Sequence, residues 1–179
     1  MTGSENIVLI GFMGTGKSTV GKRLAKALGK EFIDTDAEIE DITGLAVAEV
    51  FRRYGETRFR SEENLVIKRL SRKTGCVIAT GGGTVLNQEN WEVLARNGVM
   101  IQLYAPLDVV LTRITQKGSR PLLKGSHDDL ERLWAARQPV YSRATYTVDT
   151  TDKGIDGVVN AILALLGKGE GLGGQLAQD

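Results

Sequence analysis

Eight consecutive residues carry the plainest chemistry in the chain. Gly11-Phe12-Met13-Gly14-Thr15-Gly16-Lys17-Ser18 fits the pattern G-x-x-x-x-G-K-[ST]. Glycines let backbone N–H groups turn inward around phosphate oxygens, along a path that a β-carbon would block. A helix starting at the end of the loop aims its N-terminal dipole at the anion. In such a loop Lys17 bridges the β- and γ-phosphates, and the Ser18 hydroxyl binds Mg2+. A β-rich run precedes the loop and a helical pattern follows it, which is the context the mechanism demands. The alternative is a glycine-rich turn that holds no ligand. The guanine-reading pattern N-K-x-D is absent, and the chain is too short for a motor or a translocase. A small kinase is the remainder.

Phosphoryl transfer needs an acceptor side. Asp34-Thr35-Asp36 sets two carboxylates at i and i+2, which share a face if the chain is extended there. One can support a Mg2+ ion through water; the other can take a proton from an attacking hydroxyl. Equally, Asp36 could cap a helix beginning at Ala37. Arg60 and Glu63 in Phe59-Arg60-Ser61-Glu62-Glu63 stand at i and i+3 on one helix face. A carboxylate that fixes the arginine fork leaves its other donors for an anionic substrate, although a surface ion pair has the same spacing. Gly81-Gly82-Gly83 lets backbone approach a ligand closely. Arg120 lies in an aperiodic segment that could close over phosphate, and Arg137 ends a helical stretch. Taken singly, each of these arginines also reads as a solvated surface residue.

The elements that must position these residues alternate along the chain. Strands are expected at Asn6–Ile10, Glu31–Asp34, Cys76–Thr80, Val99–Tyr104 and Tyr146–Thr150. Helices are expected at Ser18–Leu28, Ala37–Thr43, Ala46–Tyr54, Arg60–Arg72, Asn87–Asn97, Pro106–Thr115, Asp128–Arg137 and Ile155–Leu166. Gly29, Gly44, Gly55 and Gly98 punctuate them. Strands separated by helices imply βαβ units and a mostly parallel sheet. His127 reads as a loop residue, Cys76 as the start of a buried strand, and Trp91 and Trp134 as packing residues.

Composition narrows the class. The 179 residues are 41% apolar and 25% charged, ordinary for one globular domain. With 23 basic and 22 acidic residues the formal charge is +1, so nothing marks a nucleic-acid binder. The single Cys76 can form neither an internal disulfide nor a multi-cysteine metal site. The five-residue apolar run near the start is too short for a signal or membrane segment. A cytoplasmic protein is expected, with no membrane partner. Glycine is abundant, 22 in all. Five of these lie in residues 167–179, which read as a tail without structure.

Together the motifs closely resemble the shikimate kinase family. The resemblance rests on GFMGTGKST at 11–19, DTD at 34–36, FRSEE at 59–63, GGG at 81–83, RPLL at 120–123 and RQPVY at 137–141. It covers roughly Asn6 to Leu166. It implies a three-layer α/β/α fold of the P-loop kinase type, with a central five-stranded parallel sheet and a mobile lid. The kinase domain would span 1–166, with substrate-binding helices at about 36–63 and the lid at about 117–127. The implied activity moves the γ-phosphate of ATP to the 3-hydroxyl of shikimate, in the chorismate pathway, with one Mg2+ per subunit. Gly14, Thr15, Gly16, Lys17, Ser18 and Thr19 would hold the ATP phosphates, and Arg113 would stack on adenine. Ser18, and Asp34 through water, would support the metal. Asp36 would bind shikimate hydroxyls and act as base. Arg60 and Arg137 would hold the carboxylate, Glu63 would orient Arg60, and Gly82 would touch substrate through its backbone. Arg120 would be the lid arginine that stabilises the transferring phosphoryl group, so Asp36, Lys17 and Arg120 form the implied catalytic set. A monomer is expected. Two rival readings are a gluconate-type sugar-acid kinase, opposed by the FRSEE and RPLL segments, and a non-catalytic nucleotide switch, opposed by the presence of Lys17, Asp36 and Arg120.

Overall fold

The computed structural model describes residues 4–115 and 126–173. Its first strand, β1 (Asn6–Ile10), is buried at every position, as a continuous apolar run must be when helices cover both faces of a sheet. Four more strands complete the sheet: β2 (Glu31–Asp34), β3 (Cys76–Ala79), β4 (Gly98–Tyr104) and β5 (Tyr146–Asp149). Their order is β2-β3-β1-β4-β5, and every pairing is parallel. The chain leaves β1 toward β2 and later passes it to reach β4. At such a reversal the ligand crevice lies outside the carboxyl ends of the strands.

Alternation along the strands builds two cores. Ile7, Leu9, Val77, Ile101, Leu103 and Val148 face α1 (Lys17–Leu28) and α7 (Ile155–Gly173), packing on Val20, Leu24, Val159 and Ile162. Val8, Ile10, Ile33, Ile78 and Met100 face the opposite way. They pack on side chains of α2 (Thr35–Thr43), α3 (Val47–Leu70), α4 (Gln88–Arg96), α5 (Leu107–Thr115) and α6 (His127–Tyr141). The result is the expected α/β/α sandwich. Each fully buried Leu or Ile contributes about 1.5–3 kcal/mol to holding it.

Several element boundaries differ from the sequence expectation, each for a local reason. Helix α2 starts at Thr35, not Ala37. Its N-cap is Asp34, whose carboxylate accepts from the Asp36 N–H at 3.0 Å. Asp36 is therefore not the cap, and the two carboxylates do not alternate on an extended chain. The helical backbone of α3 breaks at Gly55, as expected, but resumes directly after it rather than at Arg60. Gly55 departs from helical geometry, at φ 78° and ψ 178°, so two helices meet there at a kink. Arg137 does not end α6, which reaches Tyr141 with Pro139 inside its last turns. His127 is helical rather than a loop residue, because Ser126 and Asp129 form a capping box that starts the helix at it. Helix α7 continues past Leu166 to Gly173. Glycine weakens a helix by about 1 kcal/mol per residue without forbidding it, and no proline intervenes. Residues 167–173 are thus helical where an unstructured tail was expected; 174–179 lie outside the described residues. So does most of the expected lid, including Arg120.

Candidate active site

The phosphate-loop pattern sits between β1 and α1. Gly11 and Gly14 have φ of 137° and 78°, and Gly16, the N-cap of α1, has φ 93°. Side chains rarely adopt these conformations. A β-carbon on Gly11 would also strike the Leu103 carbonyl oxygen, and one on Gly14 would lie 2.9 Å from Ile114. The loop is therefore clamped between β4 and α5. Lys17 is 8% exposed and donates from Nζ to the carbonyls of Gly11 and Phe12, both at 2.8 Å. Thr15 is buried and donates to the Phe12 carbonyl at 2.8 Å. Ser18 and Thr19 open onto a groove of about 640 Å³ lined also by Lys22, Lys26 and Ile155.

The acceptor-side residues come from three helices and meet around one stretch of backbone. A β-carbon on Gly81 would fall 2.7 Å from the Asp36 carboxylate. On Gly83 it would fall 2.6 and 2.7 Å from the Arg60 guanidinium nitrogens. On Gly82 it would meet an Arg137 guanidinium nitrogen at 3.4 Å, with the Met13 amide and the Gly11 carbonyl just beyond at 3.6 and 3.7 Å. The three glycines thus give Asp36, Arg60 and Arg137 their places, one each. The segment is held from behind: the Gly81 N–H donates to the buried Thr35 hydroxyl at 2.9 Å.

Charge is distributed unevenly over this cluster. Arg60 donates to Glu63 at 2.8 Å and to Glu56 at 3.2 Å. Glu63 is 1% exposed and also accepts from Thr84 Oγ1 at 2.6 Å. Burial works against the Arg60 charge, but Glu63 and then Glu56 outweigh it and hold its pKa above the ordinary value. Arg137 is 8% exposed and has no ion-pair carboxylate among the described residues. Its Nε is buried without any hydrogen-bond partner, and its guanidinium stands 5.6 Å from the Phe12 ring centroid. A buried, unpartnered cationic nitrogen costs free energy unless a ligand answers it. Below it, Tyr141 is fully buried and donates to the Gly82 carbonyl at 2.5 Å.

These distances bring Asp36, Arg60, Glu63, Gly82 and Arg137 to one site beside the phosphate loop. Asp34 stands apart, at the end of β2; its partner in β3 is Ala79, which in turn pairs with Leu9 of β1. Arg113 is turned to the end of β5, donating to Thr150 Oγ1 at 2.8 Å and to the Thr150 and Thr151 carbonyls. No group of three or more His, Cys, Asp or Glu side chains is arranged as a metal site among the described residues. The oxygen donors present, Ser18 and Asp34, suit a hard ion that keeps most of its waters and arrives with phosphate.

Comparison with known proteins decides the family. The family model for shikimate kinase matches residues 13–167. The chain belongs to the shikimate kinase family. A shikimate kinase of Pelotomaculum thermopropionicum is 50% identical over 164 residues, 90% of this chain and 95% of that protein. The solved shikimate kinase of Acinetobacter baumannii, in complex with shikimate, matches with a TM-score of 0.86 at 37% identity, covering 96% of this chain and 95% of that one. A gluconokinase of Sinorhizobium meliloti matches at TM-score 0.64 and 20% identity over 96% of this chain and 97% of its own, a likeness of fold alone.

Three residues of the site went unremarked in the sequence: Thr35, Thr84 and Tyr141. Each partner is distant, 46 positions away for Thr35, 21 for Thr84 and 59 for Tyr141. No local pattern signals such bonds. Tyr141 alone had a pointer, since it closes the RQPVY segment one helical turn after Arg137.

Proposed function

We propose that this chain transfers the γ-phosphoryl group of ATP to the 3-hydroxyl of shikimate, giving ADP and shikimate 3-phosphate in the chorismate pathway. One observation carries the reading: Arg137 is a buried cation with an unpartnered Nε, set beside the phosphate loop on the same side of Gly82. Arg60 and Asp36 flank the same glycine stretch. Two arginines suit a planar carboxylate, and a carboxylate suits hydroxyls. Shikimate offers both groups, and a relative with a TM-score of 0.86 is described in complex with it.

In this reading Lys17 exchanges the Gly11 and Phe12 carbonyls for β- and γ-phosphate oxygens, while the amides of Gly14 to Thr19 cradle the phosphates. The groove beside Ser18 and Thr19 takes the nucleotide, and Arg113, held at Thr150 and Thr151, would stack on adenine. Arg60 and Arg137 hold the carboxylate, and Glu63 keeps the Arg60 fork in place. Gly82 meets the substrate through its backbone. Asp36 accepts the proton of the 3-hydroxyl as that oxygen bonds to the γ-phosphorus and the bond to the ADP oxygen breaks. Mg2+, one per subunit, would be held by Ser18 and, through water, by Asp34; it neutralises phosphate charge. Arg120 would close over the transferring group as part of a lid spanning about 117–127, the mobile element of a single kinase domain.

No helix among the described residues is long and apolar enough to cross a membrane. With a formal charge of +1 and one cysteine, we place the enzyme in the cytoplasm as a monomer, with small-molecule partners only. The test is a coupled assay of ADP release with ATP, Mg2+ and shikimate. Shikimate-dependent release is expected. Its absence, with ATP binding intact, would overturn the proposal.

A further inference from the structure

Among the described residues, Tyr141 is the largest fully buried side chain. A packing role alone would leave its hydroxyl idle. Instead the hydroxyl donates to the Gly82 carbonyl at 2.5 Å. It lies one helical turn after Arg137, so the two side chains share a face of α6. Pro139 lies between them and fixes the backbone of that turn. Burial pushes the phenol pKa up, while the Arg137 and Arg60 charges oppose the rise. The hydroxyl therefore stays protonated and remains a donor near neutral pH.

The consequence lies in the peptide that Gly82 begins. A trans peptide is planar, so its C=O and the following N–H point in opposite directions. Pinning the Gly82 carbonyl to Tyr141 turns the Gly83 N–H away from that hydroxyl, in the residue whose β-carbon would meet Arg60. The Arg137 guanidinium lies against Gly82 itself. One hydroxyl is thus tied to the backbone between both arginines.

We infer that Tyr141 is a positioning residue for the substrate carboxylate, holding the Gly82 backbone and the Arg137 guanidinium in one register. The inference rests on the proposed reading of Arg60 and Arg137 as the carboxylate clamp. Removing the hydroxyl frees the Gly82 peptide to rotate and Arg137 to drift, so it weakens the binding of a charged acceptor and leaves the nucleotide untouched.

The test is Tyr141→Phe, assayed with shikimate and with its uncharged methyl ester. The expected result is a KM for shikimate raised about tenfold, the scale of one lost hydrogen bond. The KM for ATP, the KM for the ester and kcat should each stay within about twofold, so discrimination between acid and ester shrinks. An unchanged shikimate KM overturns the inference, as does an equal rise for acid and ester, which would mark general damage to the pocket. If the phenylalanine variant does not fold, 4-aminophenylalanine at 141 keeps the ring with a weaker donor. An intermediate shikimate KM then supports the inference and a wild-type value overturns it. Failure of the underlying reading is distinct, because the unmodified enzyme would then release no ADP in response to shikimate.

Discussion

Replacing Arg137 by methionine should make the ligand-free protein more stable and useless toward shikimate. The buried Nε without a partner costs about 1–3 kcal/mol in the empty site, and methionine removes that cost while filling similar space. Against this stands the loss of the Arg137–Phe12 cation–π contact at 5.6 Å, worth about 0.5–2 kcal/mol. The balance is about 1 kcal/mol in favour of Arg137→Met. For a chain of this size that raises Tm by about 2–4 °C. Ligand reverses the ranking. Shikimate at a hundred times its Kd adds about 2.7 kcal/mol to the wild type, a further shift of about 5–11 °C. The variant should show almost none of that shift at the same concentration. The assay is thermal unfolding with and without shikimate, beside ADP release. A variant that melts below the wild type without ligand, yet still gains the full shikimate shift, would refute the assignment of Arg137 as an unanswered cation.

Three further outcomes are expected. Gly83→Ala places a β-carbon 2.6 Å from the end of the Arg60 side chain, where the backbone φ of −98° tolerates alanine. Arg60 should yield, so the KM for shikimate rises while the KM for ATP and the fold are kept; circular dichroism and steady-state kinetics check this. Asp36→Asn should lower kcat about 10²–10⁴-fold with ATP binding retained; near-normal turnover removes Asp36 from the base role. Acid titration should reveal Glu49, whose pKa is lowered from 4.5 to about 2 by hydrogen bonds from Arg52 and then Arg53. A lowered carboxylate pKa stabilises the fold above 4.5 and loses that contribution as pH falls toward 2. Melting temperature should therefore drop less steeply through this range in Glu49→Gln than in the wild type.

The sheet and the phosphate loop were legible because both are written in consecutive residues. A buried strand is a run of Val, Ile and Leu, and the loop is eight residues long; each needs only its neighbours to be read. Helix ends were less legible. Asp34 and Asp36 both suit a cap, and only the observed bond from the Asp36 N–H to Asp34 separates them. The break at Gly55 was legible, but the resumption of helix directly after it was not, since Glu56-Thr57-Arg58 carries no apolar period. Arg60, Glu63 and Arg137 could be named in advance because the family resemblance supplied their meeting. Nothing in the spacing of Thr84 and Glu63, or Tyr141 and Gly82, announces a bond between them. Those contacts follow from how α3 and α6 lie on the sheet, a property of the assembled layers.

The glycine stretch after β3 has a consequence for motion. Asp36, Arg60 and Arg137 ride on three different helices, yet each is indexed to the same three residues of backbone. If β3 shifts, the backbone that follows it pulls on Thr35 and Tyr141 through their hydrogen bonds, and so on the helices that carry Asp36 and Arg137. The middle residue of that stretch also abuts the phosphate loop at Met13 and Gly11. The gap between donor and acceptor is therefore gauged by a single peptide rather than by the summed tolerances of three helices. Movement of α6 is thus felt at the phosphate loop through one residue of backbone, Gly82.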